Sequence, residues 1–140
     1  MMKIVRKLPV VLILVALLIS SLIWGMGKTI DARPEYRQNN FFRYHYFTDD
    51  QIQNAPRISN DYSFRYRAQD GMVPLMSSII FIGATDVMPL KKYVESLGYK
   101  YMGKDEAYGE RWENERSNEV FLLWVSEDGS KVVLTKEVYY

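Results

Sequence analysis

The uncharged run Leu8 to Met26, LPVVLILVALLISSLIWGM, constrains this 140-residue chain more than any other feature. Lys3, Arg6 and Lys7 stand just before it. Rising about 1.5 Å per residue, such a helix would be roughly 28 Å long, close to the bilayer's hydrocarbon core of about 30 Å. Its many Leu, Ile and Val residues favour insertion by about 4–7 kcal/mol before Ser20, Ser21 and Gly25 are subtracted. The run therefore predicts a transmembrane signal anchor. A cleaved secretory signal is the alternative, with Gly25-Met26-Gly27 as a passable site. The length of the run favours the anchor. So does Trp24, which is bulky where a cleavage site wants small residues and suits the interfacial belt of a spanning helix.

This reading divides the chain into a basic cytoplasmic tail (1–7), an anchor (8–26), a juxtamembrane linker (27–40) and a domain (41–140). Lys28, Arg33 and Arg37 follow the run but are spread out and interrupted by Asp31 and Glu35. The compact basic cluster before the run sets the expected orientation. The protein is expected to cross the inner (plasma) membrane once, with its C-terminal domain outside the cytoplasm. This layout is common among bacterial envelope proteins, but no family motif accompanies it.

Eighteen basic and seventeen acidic side chains give a net charge of +1, and the sum conceals a gradient. The chain through Arg67 carries +5 and the remainder −4. Neither imbalance implies nucleic acid. The absence of cysteine excludes disulfides, thiolate metal sites and a lipidated N-terminal cysteine.

The expected fold is α+β: one mostly antiparallel sheet with one main helix packed on it. FFRYHYF (41–47) is aromatic-rich and suits a strand. Thr48-Asp49-Asp50-Gln51 matches a capping box opening a short helix that ends near Pro56. Tyr62 to Arg67 alternates as a half-buried strand does, and Ser78 to Gly83 is continuously apolar, as expected of a central buried strand. Leu90, Tyr93, Val94 and Leu97 mark one face of a helix capped by Thr85 or Asp86, with Pro89 in its first turn and Gly98 at its end. Val120 to Val125 and Lys131 to Val138 flank a Glu127-Asp128-Gly129-Ser130 hairpin turn.

No catalytic motif appears. The chain has no nucleophile elbow, phosphate loop, HExxH or dinucleotide fingerprint. His45, the single histidine, reads as a surface imidazole. Asp105, Glu106, Glu110, Glu113, Glu115 and Glu119 lack the alternation and central glycine of a calcium loop, and Arg111 and Arg116 among them would repel a metal. No cofactor and no metal are expected. The remaining pattern interleaves arginine with aromatics. Arg43, Arg65, Arg67, Tyr44 and Tyr46 are the candidate partner-binding residues, since Arg and Tyr are favoured at interfaces. The expected function is a single-pass membrane-anchored domain that binds an unidentified envelope protein, either as a complex accessory or as an immunity-type inhibitor, without enzymatic activity and without nucleic acid. Two alternatives are a hydrolase using the acidic stretch and a structural subunit acting through its transmembrane helix.

Overall fold

The computed structural model describes residues 11–21 and 35–140. The chain forms two compact units, one through Arg33 and one from Pro34 onward. In the first unit, residues 11–21 are helical. No helix among the described residues is long and apolar enough to cross a membrane. The anchor expected over 8–26 extends past both ends of this segment, outside the described residues.

The second unit is α+β, and its described residues form six strands and three helices. The strands are β1 (Asp61–Arg67), β2 (Leu75–Ile82), β3 (Lys100–Asp105), β4 (Gly109–Glu113), β5 (Glu119–Val125) and β6 (Lys131–Val138). Every pairing is antiparallel and the order is β1-β2-β6-β5-β4-β3. The connection from β2 to β3 carries the chain to the far edge, and the β3–β6 meander returns until β6 closes on β2. Strand β2 is thus second from the edge, not central as its apolar run suggests. Burial on both faces makes it apolar: Ile79, Ile80 and Phe81 are all buried.

The helices α1 (Phe41–Phe47), α2 (Asp50–Gln53) and α3 (Met88–Ser96) all pack on one face, their Tyr44, Ile52, Leu90 and Val94 joining one core with Phe64, Ile79, Leu134 and Leu123 of the sheet. Helix α1 corrects the strand expected at 41–47. Asn40 caps it, its side chain accepting the Arg43 N–H at 3.3 Å. Tyr44 meets the Phe64 ring edge-on at 5.1 Å, and Phe47 lies 5.0 Å from Tyr66. Aromatics on every side fit strand and helix periods alike, so the cap and the rings beneath decide. In α2 the cap is Asp49, one residue later than the expected box, and its carboxylate accepts the Gln51 N–H at 2.8 Å.

Helix α3 follows its sequence signals more closely. The N-cap position is Val87, one residue past the expected Asp86, whose carboxylate still accepts the Met88 N–H at 2.8 Å; Leu90 and Val94 are fully buried. The Gly98 N–H bonds to Glu95 and the Tyr99 N–H to Val94, a Schellman ending with Gly98 at φ +90. Tyr93 and Leu97 are only partly buried at the margin. Two more contacts lock the helices down: Lys91 Nζ pairs with Glu110 at 2.7 Å, and the Tyr93 hydroxyl donates to the Gln51 carbonyl at 2.6 Å.

The core lies between these helices and the sheet, where Phe64, Ile79, Phe81, Phe121, Leu134 and Val132 are closed from solvent. The outer edge of β1 is covered by Tyr36, which exchanges backbone hydrogen bonds with Phe64. The opposite edge, β3, carries a register shift between Tyr101 and Gly103, an irregularity that disfavours pairing with a stray strand.

Candidate functional site

Strand alternation sends every second side chain to the face without helices. The register lines these residues up in rows. One row runs Arg65, Ser78, Thr135, Leu122, Arg111, and the next runs Arg67, Met76, Glu137, Val120, Glu113. A third carries Ser63, Ile80, Val133 and Trp124. With strands about 4.8 Å apart, Arg65 and Arg111 stand roughly 19 Å from one another across the sheet.

Between them lies an open groove of about 860 Å³. Its floor is Leu122, Val133, Thr135 and Met76, and Trp124 closes one end. The walls come from loops: Met72 and Pro74 beyond β1, Tyr108 in the β3–β4 turn, and Tyr139 after β6. Met72 is fully exposed and Tyr108 largely so. The polar floor atoms are satisfied, since the Ser78 and Thr135 hydroxyls bond to each other at 2.8 Å.

The charges here are mixed. Arg65 pairs with Glu35 at 2.6 Å, and Ser63 donates to the same carboxylate at 2.8 Å. Burial raises the Glu35 pKa, but these two hydrogen bonds outweigh it and hold the carboxyl below its ordinary value. Arg111 bonds to Glu113 at 2.5 Å, which holds its guanidinium protonated still more firmly. The Tyr139 hydroxyl donates to Glu137 at 2.6 Å; burial first, then this carboxylate, raises its pKa. Arg67 differs. Its Nε is buried and makes no hydrogen bond among the described residues.

The expected binding residues divide between two surfaces. Arg65 and Arg67 reach the groove, where alternation from Phe64 and Tyr66 puts them. Tyr44 lies in the core and reaches no surface. Tyr46 and Arg43 belong to α1, on the other side of the sheet, with Tyr46 exposed and Arg43 partly so. His45 is exposed and stacks at a tilt on Phe41 at 4.3 Å. Trp124, Arg111, Tyr108 and Met72 escaped the sequence reading of the site. Their signal is the pairing register, which joins residues from strands far apart in sequence.

The acidic stretch forms no converging carboxylate site. Glu110 and Glu119 point beneath the helices, to Lys91 and Lys136, while Glu113 lies on the groove side with Arg111. Asp105 accepts the Ala107 and Tyr108 N–H groups, and Glu115 reaches Lys100 at 3.4 Å. Among the described residues no three His, Asp or Glu side chains gather as metal ligands do. No protein-family model, curated protein or solved structure matches this chain.

Proposed function

We propose that the protein is a single-pass membrane-anchored binding module whose helix-free sheet face takes a segment of another envelope protein. The observation that carries this reading is Arg67. Its enclosed Nε–H has no acceptor among the described residues, which is costly, while Arg67 itself lines the groove, where a turn of the side chain would give that N–H to a partner's carboxylate or carbonyl. Around it are side chains common at the centres of protein interfaces: Trp124, Tyr108, Tyr139, Met72 and the two further arginines. The occupant is a polypeptide segment that brings an acidic group to Arg67 and an apolar side chain to the Leu122–Val133 floor.

The anchor over Leu8–Met26 is part of the same proposal, with the domain outside the cytoplasm. In its favour, residues 11–21 are helical and expose aliphatic side chains all round, including Leu12, Leu14 and Leu18. A helix hydrophobic on every side suits lipid and not water.

Full-length protein in nanodiscs should enrich peptides pairing Asp or Glu with an apolar residue from a displayed random library. Arg67→Ala should weaken the selected peptides about tenfold, the ~1.4 kcal/mol expected when a hydrogen-bonded charge at an interface is truncated. Raising salt from 0.1 M to 1 M, which shortens the screening length from about 10 Å to about 3 Å, should weaken them further. Enrichment of basic peptides, or equal binding by Arg67→Ala, would refute the groove.

A further inference from the structure

Helix α1 is aromatic on both sides but packed on only one. Tyr44 and Phe47 turn inward onto Phe64 and Tyr66. Phe41, Phe42 and Tyr46 turn outward and are 72%, 51% and 73% exposed. The outward rings form two stacked pairs on adjacent stripes of the helix, Phe42 on Tyr46 at 4.6 Å and Phe41 on His45 at 4.3 Å. Leaving large apolar side chains in water forfeits about 1.5–3 kcal/mol each, and a contiguous patch of them marks a contact surface.

Two features of the chain specify the contact. The patch is Phe41, Phe42 and Tyr46 with His45 beside them and holds no Leu, Ile or Val; Tyr favours the membrane–water interface and Phe the apolar face of interfacial helices. It also follows the hydrophobic run closely. Ten peptide links join Met26 to Tyr36, the residue tied to β1. At roughly 3.3–3.6 Å each they reach no more than about 36 Å. A tether of this length leaves α1 within reach of the bilayer surface.

We infer that α1 is a membrane-resting foot: Phe41, Phe42 and Tyr46 seat in the lipid headgroup region of the membrane that anchors the chain. The inference rests on the anchor proposed above. It gives the domain a preferred orientation, with α1 toward the lipid and the groove on the opposite side of the sheet, turned to partners. Surface helices of this kind bury their apolar face about 5–10 Å into the interface.

The chain has no cysteine, so single nitroxide labels report one site each. Labels go on Tyr46→Cys and, as a control at the far sheet edge, on Glu106→Cys, in full-length protein floated with vesicles of phosphatidylethanolamine and phosphatidylglycerol. Expected is a several-fold higher ratio of oxygen to nickel-chelate collisions at position 46 than at 106. Equal ratios in floating protein would overturn the foot while leaving the anchor standing. Failure to float would overturn both. Shielding of position 46 from both reagents would also overturn the lipid contact, in favour of a protein or a second copy against α1.

Discussion

Lys136→Met should cost about 3–5 kcal/mol at pH 7, a large part of the roughly 5–15 kcal/mol that holds a domain folded. Lys136 is a buried cation in the middle of the sheet, on the side the helices cover. Its Nζ bonds to Asp49 at 3.0 Å and to Glu119 at 2.9 Å. Asp49 caps α2 and its own N–H donates to the Ser77 hydroxyl on β2, so this one lysine ties a helix to the sheet centre. Glu119 also accepts from the Tyr99 hydroxyl at 2.7 Å. Methionine fills the space but strands two partly buried carboxylates beside each other. Chemical denaturation of both proteins measures the loss, and a difference below about 1 kcal/mol would contradict this role.

The same site predicts an acid limb. Burial pushes the Glu119 carboxyl up, yet hydrogen bonds from Lys136 and Tyr99 outweigh it and hold it below the ordinary 4.5. A carboxylate depressed by folding contributes stability that is complete above its unfolded pKa and lost as pH falls through its folded one. Wild type should therefore weaken as the pH drops below 4.5. In Lys136→Met protonation relieves the repulsion, so the gap between the two proteins should narrow over that range.

Gly109→Ala should be the most damaging glycine substitution tested. Gly109 opens β4 at φ +80, and a Cβ there would stand 2.3 Å from the Leu123 carbonyl oxygen and 2.8 Å from Trp124 Cα. All the atoms it would meet are β5 backbone, so no flexible side chain is there to yield. Overpacking costs about 1–3 kcal/mol and the left-handed conformation about 1–2 more, together about 3 kcal/mol and a melting point roughly 10–15 °C lower. Gly129 is the control. It has φ +70 but open space around it, so alanine there bears only the conformational cost. Equal losses at the two positions would show that strand contact at Gly109 is unimportant. The damage at Gly109 should also reach the groove, since it lies in the wall beside Trp124.

Periodic segments were the legible ones. The alternation of Tyr62 to Arg67 and the spacing of Leu90 and Val94 each predicted an element and the face it buries. Lys131–Val138 came out to the residue. Helix α1 was hidden because rings on all sides carry no period, leaving Asn40 as its one local signal. The β3–β4 hairpin was hidden because an exposed edge strand is free to be polar; of its helix-side positions only Trp112 is buried. The buried role of Lys136 has no local signal, since a lone lysine in a strand is usually solvated and its two acids come from other elements, Asp49 before α2 and Glu119 on β5. Half of the groove could be read from Arg65 and Arg67. The other half waits on pairing that brings β4 and β5 opposite them.

The most direct test of the binding face is a photoreactive benzophenone amino acid incorporated at Trp124 in the groove or at Lys92 on the outer side of α3, in full-length protein in its own membrane. Irradiation should give an adduct at position 124 whose partner peptide carries Asp or Glu. The adduct should disappear when Arg67→Glu is added, and position 92 should give none. An adduct at 92 with none at 124, or one at 124 that survives Arg67→Glu, would contradict the account.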